Sequence, residues 1–377
     1  MELYSVIACD SYNNIYDVVC EHLDVHNVCD SIPRDAKILI KPNLVTDKEA
    51  AFSVTTNPLF VSAVVKYLRE KGYENITVAD CPGGALLLFS QMEDVYRKCG
   101  YDILREYAVL NTDFEGIDIP SPENSVTKKF NVISAVKNAD YIINVPKFKT
   151  HNLTGITCGV KNLFGCIPGL QKPQFHAKFP NADDFSNMLV ELAQTVKPCF
   201  TIVDAVDIME GNGPTNGKKR HLGLTFAGKN VFGLDSFVAD FLSVPKDKVG
   251  TIIQSERKKL IPADFTVYGD KAFTLKQPLL LPESIRAENT YGKIRAKVNT
   301  LFAKINDAVF TCYPEMNEKC TVCCKCVLTC PQKALANKDG KIVVYKKKCI
   351  GCMCCDEVCP NSAVDIIKTI RTGGRNK

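Results

Sequence analysis

The sequence predicts an α/β protein, with a mainly parallel sheet and flanking helices, followed by a small α+β unit at the C-terminus. Three observations give that reading. Short apolar runs of strand type alternate with helix-type segments through the first half. Several of those runs stop at polar residues, proline or glycine, as strands of open α/β sheets do where they meet a ligand crevice. Ten of the 19 cysteines fall between Cys320 and Cys359, eight of them at metal-ligand spacing.

The elements follow in order. Residues 4–8 read as a strand and 18–25 as a helix. A buried-type strand over 37–41 stops at Pro42. The segment 58–71 is a helix, with Pro58 suited to its first turn and Gly72 to its end. A strand over 75–79 closes at Cys81-Pro-Gly-Gly84, and a helix over 92–99 ends at Gly100. Residues 141–145 form another buried strand. The helix 182–196 and the strand 200–206 lead into a loop from Asp207 to Gly217. Strands are expected at 222–226 and 231–234, then a helix over 236–242. The domains are set at 1–278 for the α/β part, 279–314 for a connecting segment, 315–370 for the cysteine unit and 371–377 for a loose basic tail.

Composition narrows the class. Hydrophobic residues make up 46% and charged residues 24%, which excludes disorder over most of the chain. A net charge of +5 on 377 residues is too mild to argue for nucleic acid. No secretory signal is read at the start, and no apolar run approaches the roughly 18 residues of a membrane helix. The expectation is a cytoplasmic protein with no membrane insertion. Free thiols and ligand cysteines in such number suit a reducing compartment, and an organism that avoids oxygen.

The cysteine runs carry the most specific chemistry. Cys320, Cys323, Cys326 and Cys330 precede Pro331, and Cys349, Cys352, Cys355 and Cys359 precede Pro360. Both fit C-x₂-C-x₂-C-x₃-C-P, the ligand run of two [4Fe–4S] clusters. A cubane takes one thiolate per iron. Three close cysteines wrap one cluster, and the fourth ligates the other. Cluster I is expected on Cys320, Cys323, Cys326 and Cys359; cluster II on Cys349, Cys352, Cys355 and Cys330. The competing reading is a pair of structural zinc sites, which use cysteine pairs without a third at this spacing. Cys324 and Cys354 lie off the ligand spacing, as small residues near a cluster or as replacement ligands. Over about 319–368 the segment resembles a bacterial two-cluster ferredoxin.

The first part of the chain offers polar groups at strand ends. Lys41, Asn43 and Lys161 are candidates for an anion site; Lys147, Lys149 and His151 are candidate catalytic residues. His151 and His176 suit acid–base work or ligation, against the plainer reading of solvated lysines and loop histidines. Asp204, Asp207 and Glu210 are read as a hard-cation site or as turn caps. Cys158 and Cys166 are read as metal ligands or buried thiols. Gly211, Gly213 and Gly217 do not fit a dinucleotide fingerprint, and no phosphate loop is present.

The segments Ile40-Lys-Pro-Asn-Leu-Val45, Val145-Pro-Lys-Phe-Lys-Thr-His151, Gly159-Val-Lys-Asn162 and Asp204-Ala-Val-Asp-Ile-Met-Glu-Gly-Asn-Gly-Pro214 carry a further resemblance. Over roughly the first 270 residues the chain is similar to the family catalogued as domain of unknown function 362. The resemblance implies an α/β fold and an association with iron–sulfur units. It places a site at Lys41, Lys147, Lys149, His151 and Lys161, and brings no substrate.

The expected function is single-electron transfer through two [4Fe–4S] clusters. The alternatives are a ferredoxin-dependent reductase of an anionic substrate held by the α/β domain, and a non-enzymatic iron–sulfur scaffold. The expected partners are a ferredoxin or an iron–sulfur or flavin oxidoreductase.

Overall fold

The computed structural model of the chain describes residues 1–83, 91–283 and 310–370. The apolar run 86–89, most of the connecting segment and the basic tail lie outside the described residues.

Among the described residues twelve strands precede the cysteine unit: β1 (Glu2–Ala8), β2 (Ile38–Pro42), β3 (Ile76–Val78), β4 (Val109–Leu110), β5 (Gly116–Pro120), β6 (Lys129–Ile133), β7 (Tyr141–Val145), β8 (Lys147–His151), β9 (Gly155–Thr157), β10 (Phe200–Glu210), β11 (Lys218–Gly228) and β12 (Phe265–Gly269). The main sheet runs β12-β1-β11-β10-β7-β2-β3-β4, with β8 pairing β10 and β9 off that path. Most pairs are parallel; β11 lies antiparallel to β1 and β10, and β9 to β8. The fold is therefore a mainly parallel α/β layer with flanking helices.

Alternation along the strands explains why both faces are covered. Ile38 and Ile40 of β2 pack with the helices Ile15–Val25, Pro58–Glu70 and Met92–Lys98. Leu39, between them, packs on the opposite side against the helix Ala182–Val196. Val203, Leu224 and Phe226 join the helix Val231–Phe241 in a third cluster. The helix starts are written locally: the side chains of Asn57, Asn181 and Asn230 accept from Leu59 N, Asp184 N and Gly233 N.

Three expectations change. Residues 231–234 form the first turn of a helix, not a strand. Asn230 caps that turn, and Val231 and Leu234 are buried with Phe237 and Val238 one turn on. The loop from Asp207 starts later, because β10 continues to Glu210 and pairs with Lys218 of β11. The polar stretch after Pro146 is itself a strand, β8, held by β10 and β9.

The C-terminal unit has β13 (Phe310–Met316) paired antiparallel with β16 (Val364–Ile370), and the hairpin β14 (Leu335–Lys338) to β15 (Lys341–Val344). Asp339 and Gly340 both take positive φ, at 50° and 73°, as a two-residue hairpin turn requires. Its two short helices are Lys325–Thr329 and Cys354–Glu357. Among the described residues no helix is long and apolar enough to cross a membrane.

Candidate functional site between the sheet and the cysteine unit

The C-terminal end of β2 delivers Lys41 and, just beyond it, Asn43. Lys41 is fully buried and spends its ammonium on Asp80 (2.8 Å), Pro42 O (2.7 Å) and Asn162 O (3.1 Å). Asp80 in turn accepts from Leu44 N and Cys81 N. Gly165 closes over this pair, and a Cβ there would stand 1.9 Å from Asp80 Oδ1. Lys41 thus fixes the loops after β2 and β3. Asn43 faces the other way: Nδ2 donates to Asn162 Oδ1 at 2.8 Å, and Oδ1 accepts from Lys149 Nζ at 2.9 Å.

The three residues of β8 expected to act together are separated. Lys147 Nζ turns to Asp204 Oδ2 (2.9 Å) and the hydroxyl of Tyr12 (2.7 Å), away from the others. Lys149 reaches Asn43 and Val54 O (2.6 Å). His151 points at the cysteine unit, with Nε2 3.2 Å from Glu357 Oε1. Its Nδ1 accepts from Leu153 N at 3.0 Å, so the proton sits on Nε2, toward the carboxylate.

Between the units lies a cavity of about 60 Å³ whose lining includes Lys149, Lys161, Lys172, His176, Cys354 and Glu357. Asn43, Asp80, Thr157, Asn162 and Thr329 add to its polar wall. Burial pushes Lys149 down to about 7, helped by the charge of Lys161, and pushes Lys161 down as well. His176 is pushed down to about 4 and His151 to about 3, mainly by burial, so both are neutral at pH 7. Burial works against the Glu357 anion. The His151 contact and Lys161 outweigh it and hold Glu357 well below the usual carboxylate range. The neighbouring Asp356 is clamped by Asn216 and by Asn152 (3.2 Å), and Asn216 also accepts from Ser362 Oγ.

Sequence reasoning did not single out Lys172, Thr157, Thr329 or Glu357. The one signal for Glu357 was an acidic pair inside a cysteine run. Asp204, Asp207 and Glu210 do not form a shared cation site. Each has its own partner: Lys147; Lys219 with the His221 ring; and Arg220. Cys158 and Cys166 are buried thiols pushed up by burial, Cys158 beside Asp235.

In the cysteine unit two smaller cavities, about 20 Å³ each, separate the quartets. One is lined by Cys320, Cys323, Cys326 and Cys359 with Cys324; the other by Cys330, Cys349, Cys352 and Cys355 with Cys354. The backbone repeats between halves. Val322 and Gly351, Cys324 and Met353, and Lys333 and Ser362 all have positive φ. Ala334 N donates to Cys330 Sγ at 3.1 Å, and Ala363 N to Cys359 Sγ at 3.2 Å. Among the described residues no three His, Cys, Asp or Glu side chains are placed to hold a single metal ion. Cysteine sulfurs arranged around a space, rather than converging on a point as zinc requires, fit a polynuclear group.

The family described as Domain of unknown function (DUF362) matches residues 38–240, which hold the sheet-side wall of the cavity. The Thylakoid-associated protein sll1697 of Synechocystis sp. is 33% identical over 258 residues, 67% of this chain and 75% of that protein. The lactate racemase apoprotein from Thermoanaerobacterium thermosaccharolyticum is 12% identical, with a TM-score of 0.43 over 63% of this chain and 57% of that one.

Proposed function

The chain belongs to the DUF362 family, and from that premise we propose that it is an iron–sulfur protein that moves single electrons through a two-cluster ferredoxin unit to a small anion held against the sheet. The observation that carries this reading is the position of Cys354. It lines both the cavity of the Cys330, Cys349, Cys352 and Cys355 quartet and the lysine-lined cavity between the units. A bare carrier has no use for a cationic pocket at that wall.

When bound, the two clusters supply single electrons at low potential. The chain's own residues do the rest. Ala334 N and Ala363 N steady the thiolates of Cys330 and Cys359 by hydrogen bonds. Lys161 and Lys149 attract the anion. Lys149, at about 7, is the group able to give up a proton near neutral pH. His151, Asn152 and Asn216 dock Glu357 and Asp356, and so hold the cysteine unit against the pocket. Cys323 is exposed whereas Cys354 and Cys355 are buried. The Cys323 side is therefore the face that a redox partner protein reaches.

The test is anaerobic EPR of the purified chain, oxidised and dithionite-reduced, with iron and sulfide counted. About eight irons per chain and a coupled reduced signal are expected. Zinc without iron, or no reducible signal, sinks the reading.

A further inference from the structure

The cavity between the units has more buried polar atoms than the protein satisfies. Thr157 Oγ1, His176 Nδ1 and Thr329 Oγ1 are buried and have no hydrogen-bond partner among the described residues, and all three residues line the cavity. A buried polar atom left unpaired is costly. Three around one space argue for a guest rich in acceptor oxygens. The charges agree. Lys149, Lys161 and Lys172 line the space against the carboxylate of Glu357, while Asp80 is committed to Lys41. Lys149 and Lys172 are anchored on carbonyls, Lys172 on those of Cys81 and Pro82, which fixes where their charge sits. Water would satisfy the hydroxyls, but three lysine side chains facing one uncommitted carboxylate favour an anion.

Size limits the guest. About 60 Å³ holds roughly four to six water-sized positions. Thr157 belongs to β9, whereas Thr329 ends the helix Lys325–Thr329 and directly precedes Cys330. The donors therefore come from both units, and the cavity is complete only when the units are docked.

The geometry points to a small oxoanion, or the oxoanion head of a larger molecule, as the ligand of this cavity, gripped by Lys161, Thr157, Thr329 and His176. This rests on reading the cavity as the anion site of the proposed function, and names the class of the anion.

The experiment is calorimetric titration and thermal shift of the full chain, purified anaerobically, with sulfite, inorganic phosphate, glycerol 3-phosphate and acetate. Acetamide serves as the neutral control. Saturable one-to-one binding of at least one oxoanion is expected, with none of acetamide. Lys161→Met and the double variant Thr157→Val/Thr329→Val should each weaken it at least tenfold, and Thr157→Ser should keep it. Tighter binding of phosphate than of glycerol 3-phosphate marks a free oxoanion, and the reverse order marks a head group. No saturable binding by either method, or full affinity in Lys161→Met, overturns the inference. EPR of the same samples separates the two readings. Intact cluster signals without oxoanion binding remove only this one, and oxoanion binding without clusters removes only electron transfer.

Discussion

Two regions of this molecule gather polar side chains by different routes. In the cysteine unit, each quartet surrounds its own cavity, and the loops that carry them repeat at Val322 and Gly351, Cys324 and Met353, Lys333 and Ser362. Three cysteines of each quartet lie within a few residues of one another, and local backbone geometry does most of the placing. At the sheet, Asn43, Lys149, Lys161 and His176 come from separate elements, and Glu357 arrives from the other unit. There the fold has to close before any site exists. The lesson is sharpest on β8. Lys147 and Lys149 are two residues apart, yet one is consumed by Asp204 and Tyr12 and the other is left at the cavity.

The largest effect should come from the locally built region. Cys330→Ser and Cys349→Ser should remove the same EPR component and about four irons, and Cys359→Ser should match Cys320→Ser instead. If Cys330 pairs with Cys320 in that assay, the crossed assignment fails and the two halves are independent.

The sheet region is tested next through its buried ion pair. Asp204→Ala strands Lys147 and also removes the acceptor of Tyr12 Oη and Asn57 N. A loss of about 3–5 kcal/mol is expected in chemical denaturation, and the apolar double replacement Lys147→Met/Asp204→Leu should recover part of it. A negligible loss in the single variant would show that the pair is not buried in solution. The seam between the regions is weaker. Asn216→Ala takes one of the clamps from Asp356 and should cost about 1–3 kcal/mol by the same measurement.

A pH profile sharpens the comparison between the lysines. Lys149 is charged only below about 7, because burial and Lys161 lower it; Glu357, Asp80 and Lys147 also act on it. Oxoanion affinity should therefore rise as pH falls through about 7 and decline above it. Lys149→Met should flatten that step, measured by calorimetry across pH 6–8. The smallest effect is at the surface. Asp94→Ala breaks an exposed pair with Arg97 and should change stability by less than about 1 kcal/mol.

Much of the layer was legible because its signals are local. The helix Pro58–Glu70 carries its cap, its N1 proline and its closing glycine in sequence. The bounds of β7 and of the helix Ala182–Val196 match the periodicity to the residue. Residues 231–234 misled, since four apolar positions suit a strand as well as a helix turn, and only the Asn230 cap decides.

The sequence by itself determined the alternation of strands and helices, the spacing of two cysteine quartets and a supply of lysines near strand ends. The tertiary structure decided which lysines remain available. Lys41 and Lys147 are neutralised by Asp80 and Asp204, partners remote in the chain and adjacent only across the closed fold. It also decided that Glu357, Cys354 and Thr329 face Lys161 across the seam. Spacing along a chain fixes ligands that share a turn. Charge pairing and cavity lining depend on distances that exist only after both units have packed.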